Sequence, residues 1–428
     1  MKIGTFKKPK LFSIIKHRKK ELTKEQFLKD VIAGVIVAII ALPLSVALGI
    51  SSGVTPEKGL ITAIVAGLFI SLFGGSRVQI GGPTGAFVVI VYGIVENYGI
   101  DGLIISTLMA GVILILFGIL NLGDLIKFIP KTVTIGFTAG IAVTLFSTQV
   151  KDLFGLTISS VPSEFIPKWE VYLSNFDSTN LWAVALGVLA IFIIVFTPKV
   201  SKSIPGSLVA LVVVSVISTI FNLPVNTIGK QFGEISSSIP VPTLPHMALG
   251  KIVPLIIPSL TIAFLAAIES LLSAVVADGM IDKKHDSNTE LIGQGIANIG
   301  SAFFGGIPAT GAIARTAANI KNGGRTPIAG VVSALVLLII MKLLMPLIKF
   351  VPLTVLGGIL AVVSYNMIDI KQFKELFTEN KYSMIELVLT FVLTVVFDLV
   401  IAILVSMAVH FIFEKVLNVG NNTVSSSY

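Results

Sequence analysis

Leu125-Ile-Lys-Phe-Ile-Pro-Lys-Thr-Val133 recurs as Leu347-Ile-Lys-Phe-Val-Pro-Leu-Thr-Val355, with seven of nine positions identical at an offset of 222 residues. A second pair, Gly81-Gly-Pro83-Thr84-Gly85-Ala86 and Gly305-Gly-Ile-Pro308-Ala-Thr310-Gly311-Ala312, recurs with its prolines 225 apart. Two motifs repeated in the same order, at offsets three residues apart, mark the chain as a duplicated unit.

Composition says in which solvent the unit folds. Hydrophobic residues make up 54% of the 428 and charged residues 13%, with a mean hydropathy of +0.96. A soluble protein averages about 45–50% and about 25%. The expectation is an all-α polytopic membrane protein. Apolar runs such as Leu103 to Leu120 and Leu181 to Phe196 are close to the roughly 20 residues that cross a bilayer as helix. Fourteen spans are predicted, near 30–50, 59–73, 83–97, 102–120, 125–149, 180–197, 205–221, 255–277, 289–304, 310–321, 326–345, 347–365, 384–397 and 399–415. This divides the chain into a basic N-terminal segment (1–29), a first seven-span repeat (30–222), a Pro-, Ser- and Gly-rich outer loop (223–254), a second repeat (255–415) and a short tail (416–428).

Lys and Arg set the orientation. With a cytoplasmic N-terminus, 23 of the 31 fall on the inner side, 7 on the outer side, and Arg315 lies within a span. The positive-inside rule then places both termini in the cytoplasm, and a plasma-membrane location is expected. The net charge of +8 reflects that asymmetry and attraction to anionic lipid, not a nucleic-acid footprint. The run Lys7 to Lys24 has no apolar stretch and cleavage site after it, so it reads as an uncleaved cytoplasmic segment. Seven spans per repeat is an odd number, so the second repeat enters from the opposite side. The prediction is a seven-plus-seven inverted repeat, with Lys127 and Lys349 of the repeated motif on opposite faces.

The second repeated motif reads as a break in a span. The stretches before Thr84 and Thr310 are Gly- and Pro-rich, and the apolar runs after them are short. Non-helical backbone at membrane depth is tolerated where it is buried in protein or lines a cavity. Spans 3 and 10 are therefore expected to be half-helices preceded by short strands. Their N-termini, each carrying about +0.5 charge, would converge on one anion near Thr84, Gly85 and Ala86 and Thr310, Gly311 and Ala312. Bulky side chains at Gly85 or Gly311 would fill that approach.

Charged residues within spans are few. Arg315 would add positive charge beside the same point, or else pair with an acidic neighbour. Glu269, in Ala266-Ala-Ile-Glu-Ser270, is a carboxylate deep in an apolar run. It is either a coupling-proton carrier or the fixed partner of Arg315. Asp278 and Asp398 read as interfacial. The four histidines, His17, His246, His285 and His410, form no ligand cluster and cysteine is absent; no metal or other cofactor is expected. Gly49-Ile-Ser-Ser-Gly53 matches a hydrolase nucleophile motif only by chance, since it closes an apolar helix. An enzyme is not expected.

Residues 41–86, from Ala41-Leu-Pro43-Leu-Ser45 to Gly82-Pro-Thr-Gly85, and 268–327, including Ile268-Glu-Ser270, Ala277-Asp-Gly279, Gly293-Gln-Gly295 and Ala314-Arg-Thr316, resemble the SulP family of anion permeases and exchangers. That family includes sulfate permeases, bacterial bicarbonate and dicarboxylate transporters, and the animal group of prestin and pendrin. The resemblance implies a core of spans 1–4 and 8–11 that moves against a gate of spans 5–7 and 12–14, with the anion between spans 1, 3, 8 and 10. It implies a homodimer in the lipid bilayer. Its span-1 contacts fall on Pro43, Ser45 and Ala47, with Leu44 where animal members carry Gln. Its span-8 acid falls on Glu269 with Ser273 nearby, and its span-10 Arg on Arg315. Ile313 replaces a sodium-site Thr, so the resemblance points to proton rather than sodium coupling, closest to the dicarboxylate branch. A cytoplasmic STAS domain follows span 14 in most members, so the sequence ending at Tyr428 is expected to be either a piece of a longer protein or a membrane-only member. The expected function is a proton-coupled, elevator-type secondary transporter of sulfate, bicarbonate or a C4-dicarboxylate. An anion exchanger or channel of the same fold and a nucleobase permease are the alternatives.

Overall fold

A computed structural model describes residues 8–16, 22–123, 130–201, 204–238, 240–242, 252–397 and 399–417. The helices are α1 (Lys10–Lys16), α2 (Lys24–Ser51), α3 (Pro56–Phe73), α4 (Val88–Ile119), α5 (Lys131–Phe154), α6 (Phe165–Ser174), α7 (Leu181–Val200), α8 (Gly206–Ile220), α9 (Ile228–Phe232), α10 (Ile256–Ile281), α11 (Ser287–Phe303), α12 (Ile313–Lys321), α13 (Ile328–Ile348), α14 (Leu353–Met367), α15 (Ile370–Glu379), α16 (Lys381–Val396) and α17 (Leu399–Leu417). Two short strands, β1 (Gly81–Gly82) and β2 (Thr310–Gly311), are the sheet among the described residues.

Helix starts follow local chemistry. The Thr23 hydroxyl accepts from the Gln26 N–H, the Asn180 carboxamide from Trp182 and Ala183, and Asn380 from Tyr382 and Ser383. Pro56 opens α3 at a position that needs no N–H. Gly155 ends α5 in the left-handed conformation.

Eight helical stretches are long and apolar enough to cross a bilayer, among them Lys24–Ser51, Gly85–Ile119 and Val253–Ile281. Of the other predicted spans, 205–221, 289–304, 384–397 and 399–415 appear as the helices Gly206–Ile220, Ser287–Phe303, Lys381–Val396 and Leu399–Leu417. Spans 3 and 4, expected as 83–97 and 102–120, are two helices joined directly at Gly99, whose φ of 70° is non-helical. Span 10 is reduced to the nine residues of α12. Helices that hydropathy did not reveal include α6 and α15, which lie between longer ones; α15 has no buried residue. The repeated Leu125-to-Val133 motif is described only from Pro130, and Lys127 and Asp398 lie outside the described residues. Its partner docks the inter-repeat connection: Ile228 and Gly229 donate to the Val351 and Lys349 carbonyls, each at 2.9 Å.

Outward-facing apolar side chains on α7, such as Leu181, Val188 and Phe192, are more than half exposed, as expected of a lipid-facing surface. Close helix contacts use small residues. A Cβ on Gly111 would lie 2.7 Å from the Gly295 carbonyl oxygen and one on Gly295 2.5 Å from that of Gly111, so α4 and α11 approach backbone to backbone.

Candidate functional site

The two Gly/Pro motifs meet. β1 and β2 pair antiparallel, Gly81 opposite Gly311 and Gly82 opposite Thr310, and the Ala312 N–H donates to the Ile80 carbonyl at 2.8 Å. Residues more than 220 apart in sequence thus share one ladder at the start of two helices. After β1, Thr84 is extended and precedes the turn Gly85–Phe87 that leads into α4; after β2, Ala312 precedes α12. Neither helix start has a side-chain cap, so its first-turn N–H groups are left for other acceptors. Thr310 belongs to the strand rather than following it.

Irregular backbone inside a membrane protein must be hydrogen-bonded by its neighbours. The Asn298 carboxamide donates to the Ala309 carbonyl at 2.8 Å and accepts the Ala309 N–H at 2.9 Å. The Thr62 hydroxyl accepts the Ile307 N–H at 2.7 Å, and Ser301 donates to the Ile307 carbonyl. Ahead of the other motif, the fully buried Glu290 carboxylate accepts the N–H groups of Gly75 and Ser76, both at 2.8 Å, and the Gln294 amide. Asn319 holds the Val78 carbonyl at 2.8 Å. Buried side chains thus hold the backbone of both breaks.

Arg315 lies between the motifs, 4% exposed. Its Nη2 donates to the Pro83 carbonyl. Its Nη1 is buried without a hydrogen-bond partner and sits where a Cβ on Gly82 would be 2.5 Å away. Arg315 forms no ion pair among the described residues. A fixed Arg315–Glu269 bridge is therefore absent, and a full positive charge is left without a carboxylate on it. Burying such a charge is costly unless something compensates it. The Glu269 carboxyl instead faces the Thr84 hydroxyl and is partly exposed.

The other expected residues divide. The Thr310 hydroxyl is buried and donates to the Ala266 carbonyl, one turn before Glu269, at 3.0 Å. The Ser273 hydroxyl lies 3.4 Å from that of Thr316, which accepts the Ile80 N–H at 3.0 Å. These tie α10 and α12 to β1. Pro43, Ser45 and Ala47 are buried; the Ser45 carbonyl presses on Gly59 of α3, and the Ser45 hydroxyl has no partner. Gly85 and Gly311 are needed for packing: a Cβ on Gly85 would be 2.6 Å from Leu145 Cδ2, and one on Gly311 would collide with the Gln79 amide.

Gln79, not expected from the sequence, is buried at the ladder, donating to the Ser270 carbonyl at 3.0 Å while its Oε1 finds no partner. Glu290, Gln294 and Asn298 were missed too, although their spacing of four residues puts three polar groups on one helix face and was the available signal.

Comparison with known proteins places this architecture. The profile of the sulfate permease family matches residues 27–393. YvdB of Bacillus subtilis (strain 168), a candidate sulfate transporter by its name, is 44% identical over 391 residues, covering 91% of this chain and 74% of YvdB. The bicarbonate transporter BicA of Picosynechococcus sp. is 35% identical over 396 residues, covering 87% of this chain and 68% of BicA. Among solved structures, the transmembrane domain of a cyanobacterial BicA superposes with a TM-score of 0.79 at 31% identity, covering 91% of this chain and 98% of that domain. The murine anion transporter Slc26a9, at 18% identity, shares the fold with a TM-score of 0.84, covering 97% of this chain and 74% of Slc26a9. These relatives are transporters, not enzymes, and the chain is a multi-pass membrane protein that belongs to the sulfate permease family.

Proposed function

We propose that the chain is a secondary active transporter of a small oxyanion, sulfate, bicarbonate or a C4-dicarboxylate, coupled to protons. The observation that carries this reading is Arg315: a buried guanidinium with a free Nη1 and no ion pair, set where two paired motifs start two uncapped helices. Each part favours negative charge. A neutral nucleobase would leave that charge uncompensated.

The fourteen-crossing, seven-plus-seven inverted topology fits the same arrangement. In it, the stretch Gly85–Ile119 counts as two crossings parted at Gly99, and α12 completes a crossing begun by extended backbone. Both termini then face the cytoplasm of a plasma-membrane protein that works as a homodimer. Alternating access follows as movement of a core, α2 to α4 with α10 to α13, against a gate, α5 to α8 with α14 to α17. The contact of Gly85 with Leu145 and Met367 lies where such parts would slide.

Purified protein in liposomes is expected to take up at least one of labelled sulfate, bicarbonate and succinate. Uptake is stimulated by an acidic exterior and unchanged when sodium is replaced by choline, because Ile313 offers no side-chain ligand. Uptake no greater than that of empty liposomes for every anion of the panel would refute the reading.

A further inference from the structure

A cavity of about 420 Å³ reaches from Ala86 past Ile90, Thr144 and Ser147 to Ser163 and Lys168, and Arg315 does not line it. Ala86 is shared with the start of the first uncapped helix, so the cavity leads towards the central site. Its far end is built by α6 and the segment before it. In the orientation proposed above, that end is external.

Lys168 on α6 is the informative residue. It is 3% exposed, and its ammonium has neither a hydrogen-bond acceptor nor a carboxylate in bonding distance among the described residues. The Tyr92 ring centroid is 6.0 Å from Nζ, at the outer limit of a cation–π contact. The groups that would be its natural partners are engaged elsewhere. The exposed Glu96 carboxylate accepts the Ser163 N–H at 3.2 Å, and the Tyr92 hydroxyl donates to the Val161 carbonyl at 2.7 Å. Burial pushes the Lys168 ammonium down to about 8, against the weaker upward pull of Glu96 and Glu164. It is still mostly charged at neutral pH.

The lining hydroxyls between Ala86 and the far end are engaged by backbone. Thr144 donates to the Ile141 carbonyl at 2.9 Å and Ser147 to the Thr144 carbonyl at 2.7 Å. The ammonium is thus the cationic donor that the cavity presents. Glu164, which also lines the cavity, and Glu96 are exposed to water, where solvent and salt screen their repulsion of an anion. The buried ammonium is screened far less.

We propose that this cavity is an outer anion-capture site, in which Lys168 holds the incoming oxyanion before it moves to the helix ends beside Arg315. The proposal rests on the anion-transport reading. Lys suits the task better than Arg, because a single flexible charge without a planar fork holds an oxyanion less rigidly and releases it onward.

Trp169 adjoins Lys168, and Trp182 is the other tryptophan of the chain. In full-length Trp182→Phe protein, titration with sulfate, bicarbonate and succinate is expected to give a saturable change in Trp169 fluorescence for the transported anion. The change is lost in Lys168→Met and kept in Lys168→Arg. It is also kept in Arg315→Gln, which abolishes uptake, so failure at the central site is distinguished from failure here. In liposomes, Lys168→Met raises the KM for external anion at least fivefold and the KM for internal anion by less than twofold. A fluorescence response that survives Lys168→Met, no response in the parent, or an equal rise in both KM values would overturn the capture site.

Discussion

Arg315→Ala is expected to lower anion uptake at limiting concentration by at least tenfold, equivalent to about 1.4 kcal/mol of binding, with the protein still folded in detergent. The physical reason is that Arg315 is buried and meets no carboxylate among the described residues, so its charge is available to a ligand and poorly screened. The substitution also frees the Pro83 carbonyl that Nη2 holds. Arg315→Lys separates the two effects: it restores charge without the planar fork and should recover part of the uptake. If Arg315→Ala transports every anion as well as the parent, Arg315 only braces the Pro83 turn.

Glu269→Gln is expected to abolish accumulation driven by a pH gradient while anion counterflow continues. A moving core that carries an extra anion across a low-dielectric barrier lowers the cost by taking up a proton. The Glu269 carboxyl is placed for this, partly exposed, facing Thr84 at one uncapped helix start and one turn from the Ala266 carbonyl that Thr310 engages. Gln mimics the protonated acid and fixes the core in that state. Were Glu269 only a counter-charge to Arg315, Gln would damage binding at every pH, but no such ion pair forms among the described residues. Gradient-driven accumulation that survives unchanged in Glu269→Gln would remove Glu269 from the coupling step.

Much of this architecture was legible in the sequence because its two strongest signals are local. The Gly-Pro-Thr-Gly and Pro-Ala-Thr-Gly motifs repeat at a near-constant offset, and the structure pairs them residue against residue. Arg315 stood out as a charge in an apolar setting. What stayed hidden depends on partners distant in sequence. Gln79 reads as part of a polar turn, and nothing local says that it will fill the space over Gly311. Glu290 reads as the start of an amphipathic helix, whereas its oxygens close the turn at Gly75 and Ser76, more than 200 residues earlier. Gly85 and Gly311 looked like room for a ligand, but the space beside them holds Leu145 and Gln79. Helix α15 escaped because hydropathy alone does not register a short amphipathic segment.

The most direct test of the site is to locate the anion itself. Crystals of the protein grown with selenate, or with bromosuccinate if the uptake panel selects a dicarboxylate, should show an anomalous difference peak between the helix starts at Thr84 and Ala312, within hydrogen-bonding reach of Arg315. A peak elsewhere in the core, with that space empty at saturating anion, would contradict the account.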